Sequence, residues 1–352
     1  MGEVRLRVLV TGHLGYVGTV LTPLLAAAGH KVIGLDVDLY RACSFPPGTA
    51  LPPVRTIDRD IRDVQTADFM NVDAVIHLAG LANEPLGEID PDLTAAVNHH
   101  ASIRVAECAK RAGVGLFLFA SSCSIFGASG EDIVNEESPP HPLTAYGRSK
   151  LAAEQDLLPL AGRDFRLAAL RCGTVYGASP RLRFDLVVNN LVAWARATGK
   201  IFLKSDGTAW RPLIHVADVA RTYLALLDAP ERAFAEPIIN VGVDGDNVRI
   251  RDLAGTIAAA VPGSAVAFAE DAEKDGRSYR VDFARMRTAL PDFAPQWTIA
   301  SGARQISAAI EASPVAPEDF EGPTYQRRAH LVARIEAGTL APDLRPLAVA
   351  PA

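Results

Sequence analysis

The chain has 352 residues, of which 49% are apolar and 22% are charged, and its formal net charge is −6. This length supplies a large buried core and predicts a nucleotide-binding domain with a smaller second lobe. The acidic balance argues against a nucleic-acid-binding protein, whose surface would be basic.

The four cysteines are widely spaced and form no CxxC pair. This spacing argues against structural zinc and a disulfide framework, so no metal site is predicted, and a reducing compartment is expected. The N-terminal residues lead directly into a predicted strand, and the sequence shows neither a signal peptide nor an apolar run long enough to cross a bilayer. We therefore expect a soluble cytoplasmic protein that does not enter a membrane.

Short β-branched runs alternate with helical patterns through the first half of the chain. The predicted strands lie at residues 8–10, 32–35, 74–78, 116–119 and 167–171. The predicted helices lie at about residues 16–28, 93–111 and 146–161. This alternation implies right-handed crossovers and a doubly wound parallel α/β sheet covered by helices on both faces.

The pattern loosens after about residue 177, where a smaller mixed α/β lobe is expected. Its predicted elements are a helix at 185–197, strands at 201–203 and 212–216, and small helices and strands over 250–310. A strand at 238–241 should return to the main sheet. We expect three parts: a nucleotide-binding domain at 1–176 that carries the catalytic residues, a mainly substrate-binding lobe at 177–313, and a Pro-rich tail at 314–352. A single amphipathic tail helix, at about 325–337, is expected to pack on the surface.

Three glycines, Gly12, Gly15 and Gly18, lie between the first predicted strand and the first predicted helix. Without side chains there, the backbone can approach a diphosphate, which the N-terminus of the helix stabilises. Tyr16 and Val17 lie between these glycines and belong to the same predicted site. The order of strand, glycine turn and helix predicts a Rossmann dinucleotide site.

Asp36 closes the second predicted strand. A carboxylate at this point can accept hydrogen bonds from the adenosine ribose and repel a 2′-phosphate, which favours NAD over NADP. Arg41 nearby weakens this preference. Further positions expected around the adenine and the cofactor ribose are Asp60, Ile61, Leu78, Ala79 and Gly80.

Tyr146 and Lys150 are four residues apart on a predicted helix and therefore share one face. A phenol ordinarily titrates near ~10, and the Lys150 ammonium together with a positive nicotinamide ring should lower that pKa toward the useful range. Lys150 would also bond the nicotinamide ribose. A hydroxyl from the turn SSCS at residues 121–124 could hold a substrate oxygen beside the phenol. Together these groups predict hydride transfer at a carbinol carbon.

Over about residues 5–310, the chain resembles the extended short-chain dehydrogenases/reductases of the nucleotide-sugar epimerase/dehydratase type, such as UDP-galactose 4-epimerase. The resemblance rests on TGxxGYxG at 11–18, HLAG at 77–80, SSxxxFG at 121–127, YxxxK at 146–150 and RPLIHVAD at 211–218. It implies a catalytic set of Ser122, Tyr146 and Lys150, and it places Asn98 at the cofactor.

The resemblance also implies a nucleotide-diphosphate sugar as substrate. Arg211 and Asn190 correspond to residues that contact the diphosphate of that substrate. Ser124 lies beside the catalytic hydroxyl, and Arg277 belongs to a segment that often closes over the substrate. The substrate-binding residues expected from the resemblance are Ser122, Ser124, Tyr146, Asn190, Arg211 and Arg277.

Departures from the family pattern argue against some of the reactions that the family catalyses. The 4,6-dehydratases carry Asp-Glu directly after the catalytic hydroxyl, where this chain has Cys123 and Ser124, and decarboxylase-type relatives also need a Glu there. We therefore expect an NAD-dependent 4-epimerase that acts through a transient 4-keto intermediate. Lys204 occupies a position that is often aromatic, which leaves the nucleobase open. A 4-ketoreductase or dehydrogenase with the same residues and a non-catalytic NAD-binding scaffold are the alternatives.

A homodimer is also implied by the resemblance. In this family two long helices of each subunit commonly form a four-helix interface. Here they correspond to the predicted helices at 93–111 and 146–161. The apolar positions available for this interface are Val97, Ile103, Val105, Ala106, Leu151, Leu157, Leu158 and Leu160. An exposed apolar patch of this kind is generally avoided in a monomer, and a two-fold dimer would cover it.

Overall fold

The computed structural model of the protein describes residues 5–51, 53–273 and 275–347. The described residues form fourteen strands, at Arg7–Thr11 (β1), Lys31–Asp36 (β2), Arg55–Asp58 (β3), Ala74–His77 (β4), Leu116–Ser122 (β5), Ala128–Val134 (β6), Arg166–Cys172 (β7), Thr174–Tyr176 (β8), Lys200–Ser205 (β9), Trp210–His215 (β10), Ile238–Val241 (β11), Asn247–Arg249 (β12), Ala265–Glu273 (β13) and Ser278–Val281 (β14).

The α-helices of the described residues lie at Gly18–Ala27 (α1), Glu84–Gly87 (α2), Pro91–Ala95 (α3), Ala101–Arg111 (α4), Ala145–Leu157 (α5), Val187–Thr198 (α6), Val216–Leu227 (α7), Ile250–Ala260 (α8), Ala284–Ala289 (α9), Ile299–Ala312 (α10) and Arg327–Glu336 (α11).

The main sheet has seven strands in the order β11-β7-β5-β4-β1-β2-β3. All of its pairings are parallel, and β11 pairs with β7, so residues 238–241 lie in this sheet. The chain starts at β1 in the middle, builds outward through β2 and β3, and then crosses to β4 on the other side. The doubly wound fold is thus confirmed, and the crevice where the strand order reverses, between β1 and β4, is where such sheets bind ligands.

Alternating side chains of the central strands pack against helices on both faces of the sheet. Val8 and Val10 of β1 contact the core formed with α1 and α7, whereas Leu9 between them belongs to the core formed with α4 and α5. Because successive side chains of a strand point to opposite faces, a sheet buried on both sides needs apolar residues at every position. This explains the uninterrupted apolar runs of β1, β4 and β5.

The long helix expected at 93–111 is interrupted. It consists of α3, a π-helical turn at Ala96–His100, and α4. π-turns of this kind often occur at functional sites. The helix expected at 146–161 is regular only as far as Leu157, after which Leu158–Leu160 form a 3₁₀ turn. Pro159 explains this end, because a proline has no backbone N–H to continue the α-helical hydrogen bonds.

The apolar positions expected at a dimer interface pack largely within the chain itself. Val105, Ala106 and Leu157 are buried in the core beneath α4 and α5. The other members are half-buried against the chain's own core clusters: Val97, Ile103, Leu151, Leu158 and Leu160. The homodimer stays a prediction.

The smaller lobe is mixed. It contains the sheets β12-β10-β8, β13-β9 and β14-β6, and its core joins α6, α8 and α10 around Phe184 and Tyr176. Within the described ranges, no helix combines the length and the apolar character needed to span a membrane.

The helix of the carboxyl-terminal tail, α11, packs against the rest of the chain through one face, and Arg328 and Glu336 on it are exposed. In α11, Arg327, His330 and Leu331 are buried, and Phe320 and Tyr325 before it are buried in the core of the smaller lobe. Amphipathic periodicity predicts that one face of a helix is covered, but not which part of the protein covers that face.

Candidate active site

A cleft of about 760 Å³ runs along the carboxyl ends of the central strands and between the sheet and the smaller lobe. Its volume lies within the range of small-molecule sites. The walls contain nearly all the residues predicted from the sequence: Gly12, Gly15, Tyr16, Val17, Gly18, Asp36, Asp60, Ile61, Leu78, Ala79, Gly80, Ser122, Ser124, Tyr146, Lys150, Asn190, Arg211 and Arg277.

The glycine turn forms the floor of one end of this cleft. Gly12 has φ +70°, and a Cβ there would lie 2.7 Å from the backbone nitrogen of Ala79. A Cβ on Gly18 would lie 2.5 Å from the carbonyl oxygen of Gly12, so both positions exclude side chains. No side chain caps the N-terminus of α1, and the N–H groups of Thr19 and Val20 donate to the backbone carbonyl oxygens of Gly15 and Val17. The positive end of the helix dipole still points at this turn and favours an anion there.

Asp36 lies at the end of β2 beside this turn. Its carboxylate accepts hydrogen bonds of 2.9 Å from the backbone N–H groups of Leu14 and Asp38. Burial raises the pKa of Asp36, and these two hydrogen bonds oppose the shift. Arg41 points elsewhere, because its exposed guanidinium pairs with Asp38 at 3.1 Å.

The next wall is formed by the loops after β3 and β4. Asp60 accepts a hydrogen bond of 2.8 Å from the backbone of Arg62 and also pairs with its guanidinium at 2.6 Å. Ile61 is buried beside this pair. These contacts fix the turn after β3 and present an apolar side chain to the cleft.

Asn98 does not line the cleft. Its side chain is fully buried in the π-turn, where it accepts from the backbone N–H of Leu81 at 2.7 Å and donates to Ser149 at 3.1 Å. A Cβ on Gly80 would lie 2.8 Å from the Asn98 side-chain oxygen. Asn98 therefore supports the loop after β4 and joins it to α5. It lies behind the wall of the cleft, whereas the resemblance implied a direct contact with the cofactor.

The serines at the end of β5 have different surroundings. Ser121 donates to Glu154, which is buried and bound to Arg171 through contacts of 2.7–3.1 Å. Ser122 faces the cleft, and its hydroxyl accepts from the backbone and the hydroxyl of Ser124 at 3.1 and 2.9 Å. Ser122 is thus the β5 hydroxyl whose surroundings match the sequence-based assignment.

Tyr146 and Lys150 face the cleft from α5, but their electrostatics differ from the sequence-based expectation. Burial raises the pKa of Tyr146 to about 12, although a contact with the Ser122 hydroxyl acts in the opposite direction. Burial lowers the pKa of Lys150 to about 8. The expected lowering of the phenol pKa is therefore absent from the protein alone, because the helix spacing does not reveal how deeply both groups are buried.

Two arginines lie at the opposite end of the cleft, and each is paired with a carboxylate. Arg211 and Arg277 share the carboxylate of Asp275, at 2.7 Å and 2.9 Å, and Arg277 also pairs with Glu84. Hydrogen bonding to Asp275 raises the pKa of Arg277, and the nearby Glu84 acts in the same direction. Two guanidinium groups held close together in this way can bind the oxygens of a diphosphate.

The adjacent asparagines on α6 are not equivalent. Asn189 is fully buried and holds the backbone of Gly177 and Arg183 through hydrogen bonds of 2.9 and 3.0 Å. Asn190 faces the cleft and donates to the carbonyl oxygen of Phe184 at 2.9 Å. Lys204 is exposed and pairs with Glu321 at 2.5 Å.

Several cleft residues were not found from the sequence. Arg183 and Asp185 form a buried pair with contacts of 2.8 and 2.9 Å. Burial acts against ionisation of Asp185, but attraction to Arg183 outweighs it and lowers the pKa. Arg327 and Leu344 reach the cleft from the carboxyl-terminal tail. Nothing in the local sequence pattern indicated these long-range contacts.

The first end of the cleft fits a dinucleotide. The side-chain-free turn and uncapped helix can receive a diphosphate, the Asp36 carboxylate can accept from a ribose, and Ile61 offers an apolar surface for a base. Within the described ranges, no group of three or more His, Cys, Asp or Glu side chains is arranged to hold a metal ion.

This fold and cleft define a Rossmann-type enzyme of the extended short-chain dehydrogenase/reductase class. A sequence model described as the NAD-dependent epimerase/dehydratase family matches residues 8–242. The chain belongs to this family, and it is an NAD-dependent enzyme.

Individual relatives include more than one reaction. The UDP-glucose 4-epimerase of Azospirillum brasilense is 29% identical over 271 residues, which cover 71% of this chain and 76% of the relative. The dTDP-glucose 4,6-dehydratase of Streptomyces griseus is 28% identical over 308 residues, which cover 84% of this chain and 90% of the relative. Among solved structures, MoeE5 in complex with UDP-glucuronic acid and NAD has a TM-score of 0.74 and 26% identity, covering 87% of this chain and 99% of MoeE5.

Proposed function

We propose that this protein is an NAD-dependent nucleotide-sugar 4-epimerase. The observation that carries the proposal is that Tyr146 and Ser122 meet in the cleft while the two positions after Ser122 carry no carboxylate. The 4-epimerases among the relatives support it, as does the presence of Lys150 on the same face of α5.

The reacting groups have separable roles. Tyr146 takes the proton of the sugar C4 hydroxyl, and Ser122 donates a hydrogen bond to the same oxygen, where negative charge develops. Lys150 keeps a cation near the phenol and favours its ionised form. NAD, when bound, supplies the site that accepts the C4 hydride and gives it back.

Inversion needs the resulting 4-keto sugar to present its other face before the hydride returns. Tyr146, now protonated, then returns its proton to the C4 oxygen, so that neither protons nor electrons are gained overall. The nucleotide diphosphate stays anchored by Arg211 and Arg277 at the far end, while the sugar moves in the remaining part of the cleft.

Elimination of water from the keto intermediate would require an acid and a base next to C5 and C6. Cys123 points away from the cleft, is only 1% exposed, and contacts the carbonyl oxygen of Arg171 at 3.0 Å. Burial raises its pKa well above the ordinary thiol value, so it is a poor base. Ser124 is engaged with Ser122. These surroundings favour epimerisation over dehydration.

The proposal is tested by nuclear magnetic resonance in D₂O with UDP-glucose, UDP-galactose, UDP-glucuronic acid and dTDP-glucose as separate substrates. At least one should give its C4 epimer without deuterium at C5 and without accumulation of reduced nicotinamide. Tyr146→Phe, loaded with NAD to the same level, is the control for background reaction.

Each other outcome contradicts the proposal in a distinct way. A 4-keto-6-deoxy product with deuterium at C5 would identify a dehydratase. Reduced nicotinamide formed in proportion to product would identify a dehydrogenase. An NAD-loaded protein that converts none of the four nucleotide sugars but binds a partner protein in their presence would identify a scaffold.

A further inference from the structure

The first residue of α11 brings a buried cation to the cleft. Arg327 is only 3% exposed, although it lies far beyond the part of the chain that the family model matches. Its guanidinium lies 4.7 Å from the centre of the Tyr40 ring, and its Nη2 atom donates to the carbonyl oxygen of Arg181 at 2.8 Å. Its Nη1 atom is buried and has no hydrogen-bond partner among the described residues.

The charge of Arg327 has no ion-pair partner of its own. In the part of the chain that the structure describes, no carboxylate lies within ion-pair distance of it; Asp185 attracts it from further away but forms its ion pair with the neighbouring Arg183. A buried guanidinium without a counter-ion is costly, and a bound anion removes that cost. Burial lowers the pKa of Arg327, with Arg183 acting in the same direction, but a guanidinium remains charged in proteins.

The surroundings of Arg327 belong to the NAD side of the cleft. Tyr40, on which it stacks, lies in the loop that follows Asp36. Arg181, to which it donates, binds the carbonyl oxygens of Tyr40 at 2.7 Å and of Leu14 in the glycine turn at 3.1 Å. The guanidinium pair that fits the substrate diphosphate, at Arg211, is a separate cluster in which Asp275 is shared.

The rest of the tail continues along the same side. Arg334 donates a hydrogen bond of 2.7 Å to the carbonyl oxygen of Leu39, and this bond connects α11 to the loop after β2. Arg62, beside the predicted adenine position, donates to the carbonyl oxygen of Asp343 at 2.8 Å. Leu344 is 4% exposed and lines the cleft, and Arg345 pairs with Asp63 at 3.0 Å.

We propose that the tail over residues 327–345 is part of the NAD site: Arg327 binds the diphosphate, and Leu344 packs at the adenine end. A diphosphate could come from NAD or from the nucleotide sugar, and the contacts of Arg327 with the loop after Asp36 favour NAD. The tail thereby holds the cofactor in place. This inference depends on NAD binding and not on which reaction the enzyme catalyses, so the two proposals can fail independently.

Calorimetry on NAD-stripped protein tests the role of Arg327. Arg327→Met should weaken the binding of NAD and ADP-ribose by about 10- to 100-fold, which is the range for a lost hydrogen bond to a charged group. The affinities for adenosine and for UDP should not change. Arg328→Met, at the exposed next position of α11, is the matched control. Unchanged NAD affinity would overturn the inference, and a loss of UDP affinity alone would assign Arg327 to the substrate diphosphate instead.

A second pair of variants keeps the test decisive. Leu344→Ala should weaken the binding of NAD and of adenosine to the same several-fold extent, because both lose an apolar contact. Leu347→Ala, at an exposed position, is the control and should not change either affinity. Adenosine affinity that is unchanged in Leu344→Ala would contradict the adenine contact. If Arg327→Met does not fold, Arg327→Gln decides, because its amide can still donate a hydrogen bond to the carbonyl oxygen of Arg181 but carries no charge. Wild-type affinity for NAD in that variant would also overturn the inference.

Discussion

The Lys150 ammonium lies 5.9 Å from the centre of the Tyr146 ring, one helical turn away along α5. It makes its hydrogen bond elsewhere, to the carbonyl oxygen of Ala120 at 2.8 Å. In the proposed reaction, the effect of Lys150 on the phenol is therefore an effect through space and not a hydrogen bond. Because burial raises the pKa of Tyr146 to about 12, this ammonium and a bound cofactor must together favour the phenolate that the proposed reaction needs.

Replacing Tyr146 by Phe should remove proton transfer and little else. We expect turnover to fall by ~10²–10⁴-fold, the usual contribution of a general base, with NAD content per protein unchanged. Steady-state rates and the ultraviolet absorbance of the cofactor released on denaturation measure the two effects. Retention of more than about a tenth of wild-type turnover would exclude Tyr146 as the base.

Asp36 should control the choice between NAD and NADP. Replacing Asp36 by Ala and Val37 by Arg removes a ribose acceptor and adds a cation, so the ratio of NADP to NAD affinity should rise by on the order of tenfold or more. Calorimetry with both cofactors measures this ratio. Asp58→Ala, on the exposed end of the neighbouring strand β3, should leave it unchanged. The same ratio in the Asp36 variant and in the wild type would show that Asp36 does not contact the ribose.

His77 should make the protein sensitive to acid. It is fully buried, 2.6 Å from the Thr11 hydroxyl and 2.9 Å from that of Ser102, and burial lowers its pKa to about 3. The unfolded chain takes up a proton near pH ~6.5 that the folded chain refuses, so the free energy of unfolding falls as pH drops below that value. The contribution is about 1.4 kcal/mol per pH unit.

Urea unfolding at several pH values between about 7 and 4, with NAD at a fixed concentration, measures this slope. His77→Gln should have a shallower slope than the wild type, whereas replacement of the exposed His141 by Gln should not change it. Identical slopes for the His77 variant and the wild type would contradict a neutral buried imidazole.

The predictable part of the site consists of residues fixed by local backbone geometry. Gly12, Gly18, Tyr146 and Lys150 were found because a turn between strand and helix and a four-residue helical spacing determine their positions. Arg327 was missed because its place in the cleft depends on how a distant segment packs against the loop after β2. The same limit explains the pKa of Tyr146, since burial is a property of the tertiary structure.

Whether the chain forms the expected dimer is open to a direct test. Sedimentation equilibrium at micromolar concentration should give twice the mass of the chain, with α4 and α5 of each subunit at the interface. Replacing the half-buried Ile103 by Arg should then shift the equilibrium toward monomer. A monomer mass for the wild-type protein would rule the dimer out.

The central claim, that hydride leaves the sugar C4 and returns to its opposite face within one bound complex, is tested most directly with a nucleotide sugar deuterated at C4. Mass spectrometry and nuclear magnetic resonance should show that the C4 epimer retains its deuterium at C4 while the pool of free NAD remains unlabelled. An epimer that has lost deuterium from C4 to solvent, or label that accumulates in free reduced NAD, would contradict the proposed 4-epimerase.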